Sequence, residues 1–254
     1  MTTFIIGDVH GMKRELQRLI TRLAPKNGDT LVFVGDLIDK GEDSPGTVRF
    51  IRELSETAPF EIIVVEGNHE DKHKRYRRNL HIRPKVAQQQ ALHSPELNTI
   101  TAELSTEDVE FLEKSLPFYR IAEHDILVVH GGITGDMRKF PASVNAARNL
   151  AGKRKKHFQL TMRTRYITPE GKFVRLGAET SRDKFWAAVY DGRFGHVVFG
   201  HQPFIDKPAL FPHATGIDTG AVFGGRLTAL VVDASGKRSF ISVASRKFAE
   251  PMMC

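Results

Sequence analysis

Five short apolar runs recur along the chain, at residues 4–6, 31–34, 62–65, 126–129 and 197–199. Each is rich in β-branched residues and bounded by glycine or polar positions, the pattern of a strand buried on both faces. Between the first two runs, Leu16, Leu19, Ile20 and Leu23 follow the i, i+3, i+4, i+7 spacing of one helix face. Ser44-Pro45 predicts a helix start, with serine as N-cap and proline at the first helical position. Ser105 followed by Asp108 predicts a capping box, and Pro117 is expected to stop that helix. Residues 216–243 read as further strands joined by glycine turns. Strands alternating with helices imply α/β or α+β layers. Residues 141–172 are basic and lack periodicity, which predicts a loop or lid. A chain of 254 residues suits one sizeable core, so a single domain over 1–254 is expected.

Composition narrows the setting more than the fold. The formal net charge of +7 favours anionic partners. The one cysteine, Cys254, excludes an intramolecular disulfide and points to a cytoplasmic protein. The first residues lack the basic and long apolar regions of a signal peptide, and no run of about 18 apolar residues is present, so no membrane association is expected.

The chemistry lies where the runs end. Each is followed by a turn holding glycine and a metal-ligand residue type. In order these are Gly7-Asp8-Val9-His10-Gly11, Gly35-Asp36, Gly67-Asn68-His69-Glu70, His130-Gly131-Gly132 and Gly200-His201. Loops at the carboxyl ends of strands in open sheets converge on ligands. Any one of these turns alone is more often ordinary surface, but five in order behind five strands are not. Carboxylate, imidazole and amide oxygen suit borderline divalent ions, with manganese favoured and iron, zinc or cobalt also fitting. The absence of thiolate argues against a structural zinc cluster. Asp8 and His10 can point at one ion, Asn68, His130 and His201 at a second, and Asp36 can bridge them. Two ions about 3.5–4 Å apart can activate a bridging water and neutralise phosphate oxygens during in-line displacement.

These motifs resemble the phosphoprotein phosphatase family of calcineurin-like metallophosphoesterases, which reads G-D-x-H-G, G-D-x-x-D-R-G, G-N-H-E, H-[AG]-G and a late histidine. Residues 216–229 also resemble bacterial and phage members, so the likeness covers nearly the whole chain. It implies a central β-sandwich flanked by helices in α-β-β-α layers. It implies that Asp8, His10 and Asp36 hold one metal and that Asp36, Asn68, His130 and His201 hold the other. His69 would be the general acid that protonates the leaving oxygen, and Asp39 would hydrogen-bond it. Two positions depart from the pattern: Lys40 stands for the arginine of D-R-G, and Glu66 stands where protein phosphatases place a second arginine. Arginine grips phosphate bidentately, whereas lysine is a point charge. Lys40 is instead similar to the diadenosine tetraphosphatase-like branch, as are residues 41–50 and 198–201. Arg163 or Arg165 sits where the family often has a further phosphate-binding arginine. Pro203 replaces the second histidine of the nuclease-type G-H-x-H.

The expected activity is therefore metal-dependent hydrolysis of dinucleoside polyphosphates or related nucleotide or RNA 5′ polyphosphates. A bacterial-type serine/threonine protein phosphatase is the alternative, and a basic nucleic-acid-binding protein with a relict site is a distant one. The basic run 72–85, with seven Lys or Arg residues, is a candidate collar for polyanions such as RNA, set against a plain solvated helix face.

Overall fold

The computed structural model describes residues 1–250, so Cys254 lies outside the described residues. The first half runs β1 (Thr3–Ile6), α1 (Lys13–Leu23), β2 (Thr30–Phe33), α2 (Ser44–Thr57), β3 (Glu61–Val64), α3 (Asn68–Ile82), α4 (Pro84–His93), α5 (Glu96–Glu103) and α6 (Thr106–Glu113). There follow β4 (Tyr119–Ile121), β5 (Ile126–Val128), α7 (Val144–Arg148), α8 (Gly152–Phe158), β6 (Tyr166–Ile167), β7 (Phe173–Val174), β8 (Lys184–Phe185) and α9 (Trp186–Val189). The chain closes with β9 (His196–Phe199), β10 (Ala209–Phe211), β11 (Ala214–Gly216), β12 (Arg226–Val232) and β13 (Arg238–Ala244).

Among the described residues, two five-stranded sheets form, in the orders β13-β12-β1-β2-β3 and β10-β11-β9-β5-β4. All five apolar runs are strands, and their alternation assigns the layers. Ile5 and Val32 face Ile126, Val128 and Val198 in a core between the sheets. Their neighbours Phe4, Ile6, Leu31 and Phe33 point the other way, into a core shared with Leu16, Leu19 and Leu23 of α1. On the second sheet, Leu127, Val197 and Phe199 pack outward against Trp186 and Phe158. Successive side chains on a strand face opposite ways, so one run supplies two cores. Helix, sheet, sheet and helix thus stack in layers.

Several local expectations shift. Asp43, not Ser44, caps α2, its carboxylate accepting from Gly46 N at 2.7 Å. Ser44 Oγ is used elsewhere, accepting from Asp39 N at 2.9 Å. The capping box of Ser105 and Asp108 forms. Its helix ends at Glu113, short of Pro117, because Leu116 leaves to pair beside Val65. Residues 141–172 contain α7, α8, a 3-10 turn over Gln159–Met162 and β6. These pieces are too short to show in a periodicity window. No helix among the described residues is long and apolar enough to cross a membrane.

Candidate active site

The first sheet delivers Asp8, His10, Asp36 and Asn68 beyond the ends of the parallel strands β1, β2 and β3, and the second delivers His130 and His201 beyond β5 and β9. The turns are sharp. Eight described non-glycine residues adopt positive φ, and His10, Asp36, Asp39, Lys40 and His201 are five of them. Such backbone is disfavoured for residues with a Cβ and persists where surrounding contacts over-determine it. Gly41 shows how closely the loops pack: a Cβ there would lie 1.9 Å from the His10 carbonyl oxygen.

Backbone carbonyls orient two imidazoles. His10 Nδ1 donates to Ile38 O at 2.9 Å, and His130 Nδ1 donates to Val34 O at 2.9 Å. Both Nε2 atoms therefore turn toward the cluster, as metal-binding histidines require. Ligand-capable atoms of Asp36, His130 and His201 lie within 4.8 Å of one another, as do those of His10, Asp36 and His69. Asp36 belongs to both groups, the position expected of a bridge. Asn68 Oδ1 stands 3.0 Å from His130 Nε2. Asp8 joins neither group and accepts from the His201 backbone N at 3.0 Å. His69, expected to be an acid rather than a ligand, lies within the group of His10 and Asp36.

Burial makes these charges consequential. Desolvation and the neighbouring Asp218 push the Asp8 carboxyl well above its ordinary range. Burial would do the same to Asp36, but the charges of His130 and His69 hold it well below. His130 is raised to about 9: burial opposes its charge, and Asp36 outweighs burial. Burial and the Arg165 charge hold His201 neutral, and its Nε2 is buried without a hydrogen-bond partner. A cluster of acids that draws positive charge to one point, with an unpartnered imidazole nitrogen beside it, fits divalent cations.

His69 Nδ1 is hydrogen-bonded to Asp39 Oδ2. Asp39 does more than hold one histidine. His73 Nε2 donates to Asp39 Oδ1 at 2.7 Å, and Lys72 Nζ pairs with Oδ2 while also reaching Glu96 at 2.9 Å. Burial alone would raise the Asp39 carboxyl, but hydrogen bonds from His69 and His73 outweigh it and hold it far below the carboxylate range.

Of the expected phosphate contacts, Lys40 Nζ is 3.0 Å from His10 Nε2 and sits over the Phe223 ring at 5.3 Å. Arg165 donates to the His201 carbonyl at 2.8 Å, at the cluster. Arg163 is turned to Asp71 at 2.6 Å. Glu66 is partly buried and ion-paired to Lys74 at 3.3 Å. The basic run forms most of α3, and its cations are largely matched: Lys72 by Asp39 and Glu96, Lys74 by Glu66 and Glu113, Arg75 by Asp71, Arg77 by Glu113. These pairs reduce the positive charge that α3 leaves for a polyanion.

Four residues gained no metal-site or acid-base role from sequence. Glu70 accepts from the backbone N of Asp36, Leu37 and Gly67 at 2.8–2.9 Å, clamping the β2 and β3 loops together. Burial and the Asp36 charge raise it to about 7. Its spacing three residues after Gly67 was the available signal, since it closes the helix N-terminus. His73 and Lys72, one helical turn beyond His69 and Asn68, share its face of α3. Asp218, buried beside Asp8, had no local signal.

The calcineurin-like phosphoesterase family profile matches residues 1–204. The chain is 30% identical to the asymmetrical bis(5′-nucleosyl)-tetraphosphatase PrpE of Oceanobacillus iheyensis, covering 96% of this chain and 92% of that one. It is 32% identical to the PrpE of Halalkalibacterium halodurans, covering 96% and 94%. Among solved structures it is similar to one provisionally described as a diadenosine tetraphosphatase, with TM-score 0.70, 27% identity and coverage of 96% and 93%. A Saccharomyces cerevisiae serine/threonine phosphatase shares the fold at TM-score 0.59 and 16% identity, over 100% of this chain and 82% of that one.

Proposed function

The chain belongs to the calcineurin-like phosphoesterase family, and on that premise we propose that this metal-dependent hydrolase cleaves dinucleoside polyphosphates of the diadenosine tetraphosphate type or related nucleotide and RNA 5′ polyphosphates. The observation that carries the substrate class is full-length similarity to asymmetrical bis(5′-nucleosyl)-tetraphosphatases. The phosphate-facing residues agree with it: Lys40 is a point charge, and Glu66 is neutralised by Lys74 where a protein phosphatase would present a second arginine.

Asp8, His10, Asp36, Asn68, His130 and His201 would hold two divalent cations, manganese being the first to try. When bound, such a pair supplies Lewis acidity for water activation and for neutralising phosphoryl charge. The remaining steps belong to the chain. His69, its Nδ1 proton held by Asp39, presents Nε2 as the general acid for the leaving oxygen. Lys40 and Arg165, the arginine directed to the metal-site side, would bind phosphate oxygens; Arg163 is committed to Asp71. Buried Glu70 keeps the Asp36 and Asn68 loops in register.

The test is a substrate panel with manganese-loaded protein: diadenosine tetraphosphate, polyphosphate, triphosphorylated RNA and a phosphopeptide. Diadenosine tetraphosphate should give the highest kcat/KM. A phosphopeptide preferred over every nucleotide would overturn the reading in favour of a protein phosphatase.

A further inference from the structure

Lys40 stands where the family pattern has an arginine, and the exchange raises a problem of placement. Its backbone is fixed by the turn, with φ 68° and Gly41 close against the His10 carbonyl. The side chain is exposed, and its ammonium is a point charge at the end of a long flexible stem. An arginine orients itself on phosphate through its planar fork; a lysine has to be held by its surroundings. A carboxylate would hold it but would also cancel the charge that phosphate needs. Among the described residues Lys40 forms no ion pair with a carboxylate, and buried Asp218 feels its charge without pairing with it.

The ammonium touches His10 Nε2 at 3.0 Å and lies 5.3 Å from the centroid of the Phe223 ring. The second distance is inside the roughly 6 Å reach of a cation–π contact. His10 Nε2 is a candidate metal ligand, and a nitrogen lone pair serves one cation at a time. The ring is therefore the partner left to Lys40 when a metal is bound. It attracts the ammonium yet carries no net charge, so the positive charge stays available to phosphate. Phe223 is also firmly seated. Its ring is half-buried and packs against the core that contains α1. Phe223 N and Gly225 N both donate to Gly220 O at 2.9 Å, Phe248 N donates to Val222 O at 2.9 Å, and Phe223 pairs beside Lys247. The loop starts from Asp218, the acid near Asp8, whose carboxylate accepts from Gly220 N at 3.0 Å.

We propose that Phe223 is the positioning residue for Lys40: its ring holds the ammonium beside the candidate metal cluster through a cation–π contact, so that a lysine can replace the arginine of the family pattern. The role rests on the reading of Lys40 as a phosphate contact and adds what fixes it in place. It also makes the loop between β11 and β12 part of phosphate recognition.

The test is calorimetric titration of inorganic phosphate into manganese-loaded full-length protein, with folding checked by Tm. Phosphate is the probe because a phosphate site is common to any phosphoesterase, whatever its substrate. Lys40→Met should weaken phosphate binding about tenfold or more. Phe223→Leu, which keeps apolar bulk and removes the π face, should weaken it about two- to fivefold. Phe223→Tyr, which keeps the face, should bind within about twofold of wild type. In the double variant K40M/F223L the second substitution should add nothing to the first, because a ring that acts through Lys40 has nothing left to hold. Unchanged binding in Phe223→Leu, or a Phe223→Leu effect that persists in the Lys40→Met background, overturns the proposal. Unchanged binding in Lys40→Met overturns it too and removes Lys40 from the phosphate site. If the binding pattern holds while diadenosine tetraphosphate is spared, the role of Phe223 stands and the substrate reading fails alone.

Discussion

Replacing Asp39 with asparagine isolates the role of the carboxylate behind His69. The backbone tolerates the change, because Asp39 has φ 71° and asparagine is among the few residues that accept this region. Volume and shape are also kept. Charge and one acceptor are lost, since the carboxylate serves His69, His73 and Lys72 together and an amide oxygen cannot. A hydrogen bond to a charged group contributes about 1.5–3 kcal/mol, so losing the one that orients His69 should lower kcat by roughly 10- to 150-fold where protonation of the leaving group limits the rate. The assay is kcat for a series of aryl phosphates of increasing leaving-group pKa, with metal content measured on the same samples. Poor leaving groups should show the full loss and nitrophenolates only about a severalfold one, steepening the dependence on leaving-group pKa. Equal loss across the series, at unchanged metal content, would refute the acid role of the Asp39–His69 pair. A stability signature accompanies it. The Asp39 carboxyl lies far below its ordinary value of about 3.9 when folded, so its contribution is present above that pH and lost as pH falls through the folded value. The variant should therefore be less stable than wild type at pH 7, with the gap narrowing in strong acid.

Other outcomes are open to measurement. Chelation should abolish p-nitrophenyl phosphatase activity and lower Tm, and manganese should restore both; at 100 times Kd one bound ion adds about 2.7 kcal/mol. Activity that survives chelation would count against the cation cluster of Asp36, His130 and His201. Gly41→Ala should cost about 2–4 kcal/mol, because its Cβ would lie 1.9 Å from the His10 carbonyl oxygen; a Tm within a degree of wild type would show that the loops can part. Burial, with the charges of Arg238 and His213, lowers His196 to about 4. The unfolded chain then binds the extra proton between about pH 6.5 and 4, so stability falls as pH drops through that window. With screening at this partly open site the loss is about 1 kcal/mol, and His196→Gln should flatten it in urea titrations of chelated protein.

The strands and the convergence of the turns behind them were readable from sequence for one physical reason. A strand buried on both faces must be continuously apolar, and a sharp turn carrying a ligand needs glycine beside it, so residues 4–11 and 31–36 announce both at once. What stayed hidden depends on distances between segments remote in sequence. Nothing local shows that Asp39 is shared with His73 and Lys72, or that Asp218 comes to rest near Asp8. The pairing of the basic run was equally hidden, because its counter-ions Glu96 and Glu113 lie on other helices or at their ends. Ser44 misled because its hydroxyl was needed at Asp39, leaving the cap to Asp43.

The candidate cation cluster straddles the seam between two sheets packed against each other through the side chains of their facing strands. Asp36 reaches His130 across that seam at 3.2 Å, and Asp8 reaches the His201 amide across it. Ligand spacing is consequently a gauge of how the sheets slide on the layer of Ile5, Val32, Val128 and Val198. A methyl group removed from that layer, remote from any phosphate, would be read out as altered cation affinity before it was read out as unfolding. Selection on catalysis in such an architecture acts on the interior of the sandwich as directly as on the loops.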